Sequence, residues 1–370
     1  METSRFTLHC SLCRRRYSLE SSCWRCPSCK KPLEVHVEYP KTQDFSSLIN
    51  HRELSLWRYR RLIPFSERAA TLGEGLTPLI RHSEEGVELY FKLEYVTPTG
   101  SFKDRGATVG VARVKAIGVK GIVEDSSGNA GLSYSIYSAY SGVKARVYVP
   151  HDAPLAKREL MRKCGSEVIE CKTREEASQR AVSEFSEDYL YVGHTWDPFF
   201  LEGVKTEVYE LYEFADLNFD SIIVPVSSGT HILGLYKGFK DLISMGFIDH
   251  LPRLFAVQAG GCTPIYDKFY GVRWEGEPGL LADGLRVREP PRMGMIIEAI
   301  KESDGVVLVV GDKEIVEAMK HLYRIGLVVE PTSAAVYAAY KKCRVEAGMK
   351  VFIPLTGTGM KTLDKLQYIG

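Results

Sequence analysis

Pro98-Thr-Gly-Ser-Phe-Lys103-Asp104-Arg105-Gly106 joins an extended run to a helix and sets one lysine at the turn between them. Upstream, Glu88-Leu-Tyr-Phe-Lys-Leu-Glu94 alternates with the period of a strand. Pro98 and Gly100 end that run, and Gly106-Ala-Thr-Val-Gly-Val-Ala-Arg-Val resumes with helical spacing. A lysine so placed can form a Schiff base with a carbonyl cofactor. An arbitrary loop lysine is instead a surface cation paired with an acid such as Asp104, so the rest of the chain must decide.

Beyond this turn the chain alternates short apolar strands with helices. Strands are expected at Gly121–Glu124, Lys144–Pro150, Glu167–Glu170, Tyr189–Val192, Ser221–Val226, Leu254–Val257, Gly305–Val310 and Lys350–Leu355. Helices are expected over Leu155–Cys164 and Arg174–Phe185, with others ending near Leu242 and Arg324. This alternation predicts an α/β fold with open, mostly parallel sheets covered by helices on both faces. Ligands in such folds bind beyond the carboxyl ends of strands. The stretch from Gly271 to Arg292, rich in Gly, Pro and charge, reads as a long loop.

Three strand ends carry chemistry. After Gly121–Glu124 comes Ser126-Ser127-Gly128-Asn129-Ala-Gly131, opening a helix whose first N–H groups and dipole favour a carboxylate or phosphate. A Ser N-cap on a tight turn is the plainer alternative. After Val224-Pro-Val come Ser227-Ser228-Gly229-Thr230-His231, with a helix from about Ile232. With one glycine, that loop needs hydroxyls to complete a phosphate cradle. After Ile353-Pro-Leu comes Thr356-Gly-Thr-Gly359, where the Thr356 hydroxyl can meet a heterocycle nitrogen as donor or acceptor. A Schiff-base lysine, two anion-binding helix starts and a strand-end hydroxyl are what a phosphorylated pyridine aldehyde requires.

Composition narrows the class. The 370 residues are 45% hydrophobic and 26% charged, enough for two or three domains with a sizeable core. The formal charge is +1, and Arg14-Arg15-Arg16 and Lys30-Lys31 are too short for a nucleic-acid footprint. No run approaches the ~20 apolar residues of a membrane span, and the N-terminus lacks a signal-peptide core, so a cytoplasmic location is expected.

Five of the nine cysteines lie between Cys10 and Cys29. Cys10-x2-Cys13 and Cys26-Pro-Ser-Cys29 can present four thiolates to one tetrahedral ion, zinc or iron, as in a zinc ribbon. The short strands Thr7–His9 and Leu33–Val37 would flank the knuckles, and metal binding would supply much of the segment's folding free energy. Cys23-x2-Cys26 is a second possible pair, His9 a possible substitute ligand, and a metal-free thiol cluster the alternative. Cys164, Cys171, Cys262 and Cys343 have no metal spacing and read as buried apolar residues.

From about Gly73 to Gly359 these motifs, with Gly75-Leu-Thr-Pro-Leu79 and Glu330-Pro-Thr-Ser-Ala-Ala335, resemble the tryptophan-synthase-β-like (fold type II) pyridoxal-phosphate enzymes. Within these the chain is most similar to the threonine synthases, some of which also carry a metal ribbon. The resemblance implies two such sheets: a large cofactor-binding domain of residues 41–105 and 200–370, and a smaller domain of 106–199 carrying the Ser-Ser-Gly-Asn loop. Residues 1–40 would form the ribbon. It implies that Lys103 carries the cofactor, that Asn129 contacts its ring hydroxyl, that Ser227, Ser228, Gly229, Thr230 and His231 bind its phosphate, and that Thr356 faces its pyridine nitrogen. The substrate carboxylate would lie on Ser126, Ser127 and Gly128. A homodimer, and a lyase converting O-phosphohomoserine and water to threonine and phosphate by γ-elimination and β-addition, are likewise implied.

One segment departs from the family pattern N-S-x-N-P-x-R-x-x-G-Q-K-T. This chain reads His194-Thr195-Trp-Asp197-Pro-Phe-Phe200-Leu-Glu-Gly-Val-Lys205-Thr206, with Phe200 in place of an arginine expected on the substrate phosphate. That removes a charge-assisted contact worth ~1.5–3 kcal/mol unless another cation substitutes. Arg105 and Lys205, with Thr195, are the candidates for that end of the substrate. A serine/threonine ammonia-lyase or a cysteine-synthase-like β-replacement enzyme is the alternative activity. His194 and Asp197 read either as a catalytic pair or as a bridging polar contact.

Overall fold

The computed structural model describes residues 5–215, 218–343 and 345–369. The chain opens with β1 (Phe6–Cys10), β2 (Arg16–Tyr17) and β3 (Leu33–Val37), followed by β4 (Leu79–Glu84), β5 (Val87–Lys92) and helix α1 (Lys103–Ile117). Next come β6 (Gly121–Glu124), α2 (Asn129–Ser141), β7 (Lys144–Pro150), α3 (Leu155–Lys163), β8 (Glu167–Cys171), α4 (Arg174–Ser183) and β9 (Tyr189–Tyr191). Then follow α5 (Pro198–Val204), α6 (Thr206–Phe214), β10 (Ser221–Pro225), α7 (Thr230–Ser244), β11 (Arg253–Ala259) and α8 (Pro264–Tyr270). The last elements are α9 (Met293–Glu302), β12 (Val306–Val310), α10 (Asp312–Arg324), α11 (Pro331–Lys342) and β13 (Lys350–Pro354).

These elements form two compact units. The first comprises residues 1–76, 103–207 and 241–248; the second comprises 77–102, 208–240 and 249–370. Residues 41–76 and 103–105 thus group with 106–199, whereas the resemblance implied a large domain holding all of 41–105. Among the described residues no helix is long and apolar enough to cross a membrane.

In the first unit, β8-β7-β6-β9 form a four-stranded parallel sheet. Its inner strands β6 and β7 are mostly buried, while the edge strand β8 keeps Glu167 and Glu170 exposed. Leu132, Val147, Val149 and Met161 pack together, as do Val123, Tyr148, Tyr191, Ala177 and Ala181. The amino-terminal β2-β1-β3 sheet is antiparallel. It has too little apolar interior to stand alone and is docked by side chains on both sides. Trp24 packs edge-on against Tyr191 and Trp196 at 5.1 and 5.0 Å, and the buried Arg113 donates to the carbonyl of Ser21 at 2.8 Å.

In the second unit the order is β12-β11-β10-β13-β5-β4, parallel except for the antiparallel edge strand β4. The sequence reading had not assigned β4, because an edge strand with one wet face alternates weakly: its residues run between half-buried and exposed. The β10 strand is buried at every position. Helix α11 opens with Pro331 at its first turn, where the missing N–H costs nothing. Ala334, Ala335, Ala338 and Ala339 give it a small-residue face on the core that contains Ile223, Val257, Val351 and Ile353. Of the cysteines read as apolar core, Cys171 and Cys262 are buried, while Cys164 and Cys343 are only partly so.

Candidate active site

Lys103 is the first residue of α1, three residues after the Gly100 of the turn. Gly106 and Gly110 follow at helical spacing on its face. A Cβ on Gly106 would lie 2.4 Å from the Phe200 ring, and one on Gly110 would lie 2.5 Å from the Tyr134 hydroxyl. The two glycines therefore let α5 and α2 press against α1. A Cβ on Gly203 would fall 1.8 Å from the Arg105 carbonyl oxygen, so the α1 and α5 backbones are nearly in contact there. The Lys103 ammonium lies 5.5 Å from the centre of the Phe200 ring.

Beside that ring stands His194, with ring centres 5.8 Å apart. Its partner is Glu124, at the tip of β6, and not Asp197. The Glu124 carboxyl meets the ring Nδ1 at 2.9 Å and accepts the His194 backbone N–H at 3.2 Å. Burial, reinforced by the Asp125 charge, pushes the Glu124 carboxyl well above the usual carboxylate range. Burial and the nearby Lys103 charge hold His194 well below the usual imidazole value. Both directions put the shared proton on Glu124. Asp197 caps α5 through the Phe199 N–H at 3.1 Å and lies 3.5 Å from the Arg113 guanidinium. The sequence reading had quoted Glu124 only as a strand end.

The elevated Glu124 value fixes the sign of a pH effect. A folded-state value above that of the unfolded chain gives stability that is full below about pH 4.5 and declines as pH rises toward the folded value. Glu124→Gln keeps the size and the hydrogen bonding without the titration. Its stability relative to wild type, read from urea midpoints, is expected to be greater at pH 8 than at pH 5.

The Ser126-Ser127-Gly128 turn leads into α2, which opens at Asn129 with Gly128 at its N-cap and no side chain capping it. Ser126 instead turns inward within the loop, its Oγ accepting from the Gly128 N–H at 3.2 Å. A Cβ on Gly131 would lie 2.0 Å from the Ser126 carbonyl, so the helix start closes tightly over the turn. The alternative of a serine cap is thus not what the structure shows.

The two cations offered for Phe200 are already engaged inside the first unit. Arg105 is fully buried and donates to Thr206 Oγ1 at 3.1 Å. Lys205, also fully buried, lies 2.7 Å from Glu202 and 2.9 Å from Asp241, which further accepts from the Tyr39 hydroxyl. Burial works against its charge, but the two carboxylates outweigh it and raise the Lys205 value. Neither side chain is placed as a spare cation, and Thr195 is half-buried next to His194.

In the second unit, β10 ends at Pro225 and α7 begins at Thr230, two residues earlier than the sequence suggested. Gly229 has φ +87°, and a Cβ there would lie 2.3 Å from Ile296. Glycine is therefore required at this point of the loop. Ser228, Thr230 and His231 are buried, and Phe102 stacks on His231 at 4.3 Å. The Phe102 N–H donates to the Thr356 carbonyl at 3.1 Å, and Lys103 is the next residue in the chain.

The Thr356 hydroxyl lies 3.0 Å from that of Ser333, which also accepts from the Gly357 N–H at 2.9 Å. Gly357 is packed so closely on Glu330 that a Cβ would sit 2.3 Å from its carboxyl carbon. Ser333 had no assigned role in the sequence reading, although it lies in the Glu330–Ala335 landmark.

Each unit carries donors of the kinds that pyridoxal phosphate needs. An amine heads α1, three hydroxyls and a positive-φ glycine sit at the start of a fifteen-residue helix, and a neutral hydroxyl pair lies at a strand tip. A family model described as "Pyridoxal-phosphate dependent enzyme" matches residues 70–357. The chain belongs to this family of pyridoxal-phosphate dependent enzymes. It is 35% identical to a threonine synthase of Methanocaldococcus jannaschii, over 96% of this chain and 93% of that protein. It is 32% identical to a threonine synthase of Methanosarcina acetivorans, over 91% and 86%. In fold it is similar to the processed form of threonine deaminase isoform 2 from Solanum lycopersicum, with a TM-score of 0.66 at 22% identity, covering 91% and 96% of the two chains. The fold is thus the α/β architecture read from the sequence.

At the amino terminus, the sulfurs of Cys10, Cys13, Cys26 and Cys29 all lie within 4.8 Å of one another. Cys10 and Cys29 approach to 3.3 Å, and Cys13 and Cys26 to 3.7 Å. Cys23 and His9 are not in the group.

Proposed function

We propose that this chain is a pyridoxal-phosphate-dependent threonine synthase, converting O-phosphohomoserine and water to threonine and phosphate. The observation that carries this reading is the likeness to threonine synthases along nearly the whole chain. When bound, the cofactor supplies an electron sink for the charge that develops on the substrate carbons. Lys103 would hold it through its amine and would take and return protons at the substrate carbons. Ser227, Ser228, Gly229, Thr230 and His231 hold its phosphate and Asn129 its ring hydroxyl. Ser126, Ser127 and Gly128 orient the substrate carboxylate. Thr356, steadied by Ser333, offers the ring nitrogen a neutral hydroxyl. Such a partner does not keep that nitrogen protonated as a carboxylate would, which tempers charge delocalisation and favours elimination and replacement over transamination.

Phe200 favours a second reading, an ammonia-lyase or β-replacement enzyme, because an apolar ring rather than a guanidinium faces Lys103 and the neighbouring cations are engaged. Incubation of the holoenzyme with O-phosphohomoserine, O-phosphoserine, serine and threonine in parallel separates the two. Equimolar threonine and phosphate from the first substrate support threonine synthase. Ammonia with a keto acid, or a sulfide-dependent product, supports the second reading.

The four clustered thiolates are proposed to hold structural zinc. Elemental analysis of unchelated protein is expected to find one metal per chain, and Cys26→Ser to lose it along with protease resistance of residues 1–40. By family likeness the protein is read as a cytoplasmic homodimer, which light scattering would report as twice the chain mass.

A further inference from the structure

Away from these residues, in the second unit, two imidazoles and a carboxylate converge. His82 and Glu84 lie two apart on β4 and so share one face of that edge strand. His321, in the last turn of α10, completes the group, and the three side chains offer ligand atoms that all lie within 4.8 Å of one another. All three residues are half-buried, removed from bulk water yet open to an ion.

Neighbouring side chains hold two of the three in place. The Tyr337 ring is stacked on the His321 ring at 4.9 Å and 9°, while its hydroxyl donates to both Glu84 oxygens at 2.9 and 2.8 Å. Lys341 donates to Glu84 at 3.0 Å. One residue of α11 thus orients both a nitrogen and an oxygen ligand, the outer support that metal sites characteristically have. His321 Nε2 is buried and has no hydrogen-bond partner among the described residues. A buried ring nitrogen in that state is costly unless something fills it.

We propose that His82, Glu84 and His321 form a second metal site, separate from the thiolate cluster, for a first-row divalent cation of the zinc or cobalt class. Two imidazoles with one carboxylate suit such ions, whereas magnesium and calcium prefer all-oxygen sets. Three protein ligands leave a position for water, and the ion ties the edge strand β4 to α10. Exposed β-edges are otherwise open to pairing with other chains.

The test is equilibrium dialysis of the holoenzyme, with its amino-terminal site as isolated, against submillimolar Co2+, followed by metal counting and visible spectroscopy. Wild type is expected to take up one further equivalent that adds no thiolate charge-transfer band. His82→Asn and His321→Asn are each expected to lose it, and Glu84→Gln, which keeps the Tyr337 contact, to weaken it at least about tenfold. Far-UV circular dichroism checks that the variants fold; should a histidine variant fail, the glutamine variant still decides. Absence of the extra equivalent in wild type, or its survival in the folded variants, overturns the site.

Discussion

Lys103→Ala is expected to leave the protein folded, colourless in the visible and without turnover. Its side chain is the one amine that the fold sets at the head of α1, beside Phe200 and within the electrostatic reach of Glu124 and His194. Loss of proton transfer alone costs about 10²–10⁴-fold in rate, and loss of covalent attachment adds to that. The measurement is the visible spectrum of the reconstituted variant, with phosphate and threonine release assayed alongside. Because Lys103 starts the helix rather than filling its core, the urea midpoint should move little. A variant that turns over at the wild-type rate would remove Lys103 from the mechanism.

Lys205→Met is expected to act in the opposite way, on stability far more than on the affinity for substrate. Its ammonium is buried between Glu202 and Asp241. Removing it leaves two buried carboxylates without their cation, which costs about 3–5 kcal/mol. The raised Lys205 value means that its contribution is fully present below about pH 10.5 and is lost only as pH climbs through the folded value. The defect should therefore be complete at neutral pH. It should shrink at acid pH, where the orphaned carboxylates take up protons. Urea unfolding of both proteins at pH 5 and pH 7.5 measures it. A normal midpoint with a greatly raised KM would restore Lys205 to substrate binding.

These two lysines show how much of the site was legible in the sequence. Lys103 was found because a strand, two turn residues and a helix bracket it, and local punctuation of that kind is written in the residue order. The role of Lys205 depends on Asp241, thirty-six positions along the chain and invisible to any local pattern. The same holds for His194. Its neighbour in sequence, Asp197, was the natural partner to consider, yet the fold gives it Glu124 from a different strand.

Parallel strands such as Lys144–Pro150 and Gly121–Glu124 were read to the residue because each carries a short β-branched or aromatic run, Val147-Tyr-Val149 and Ile122-Val123, between turn signals. The edge strand Leu79–Glu84 carries no such run, and with it His82 and Glu84 escaped notice. The Phe200 substitution was plain in the sequence, but its setting was not. Only the fold shows that Gly106 makes room for the ring and that Lys103 lies over it.

The most direct measurement is borohydride reduction of the holoenzyme followed by peptide mapping by mass spectrometry. The account predicts a single phosphopyridoxyl group on Lys103. A label on any other lysine, or none on a fully folded protein saturated with pyridoxal phosphate, would contradict it.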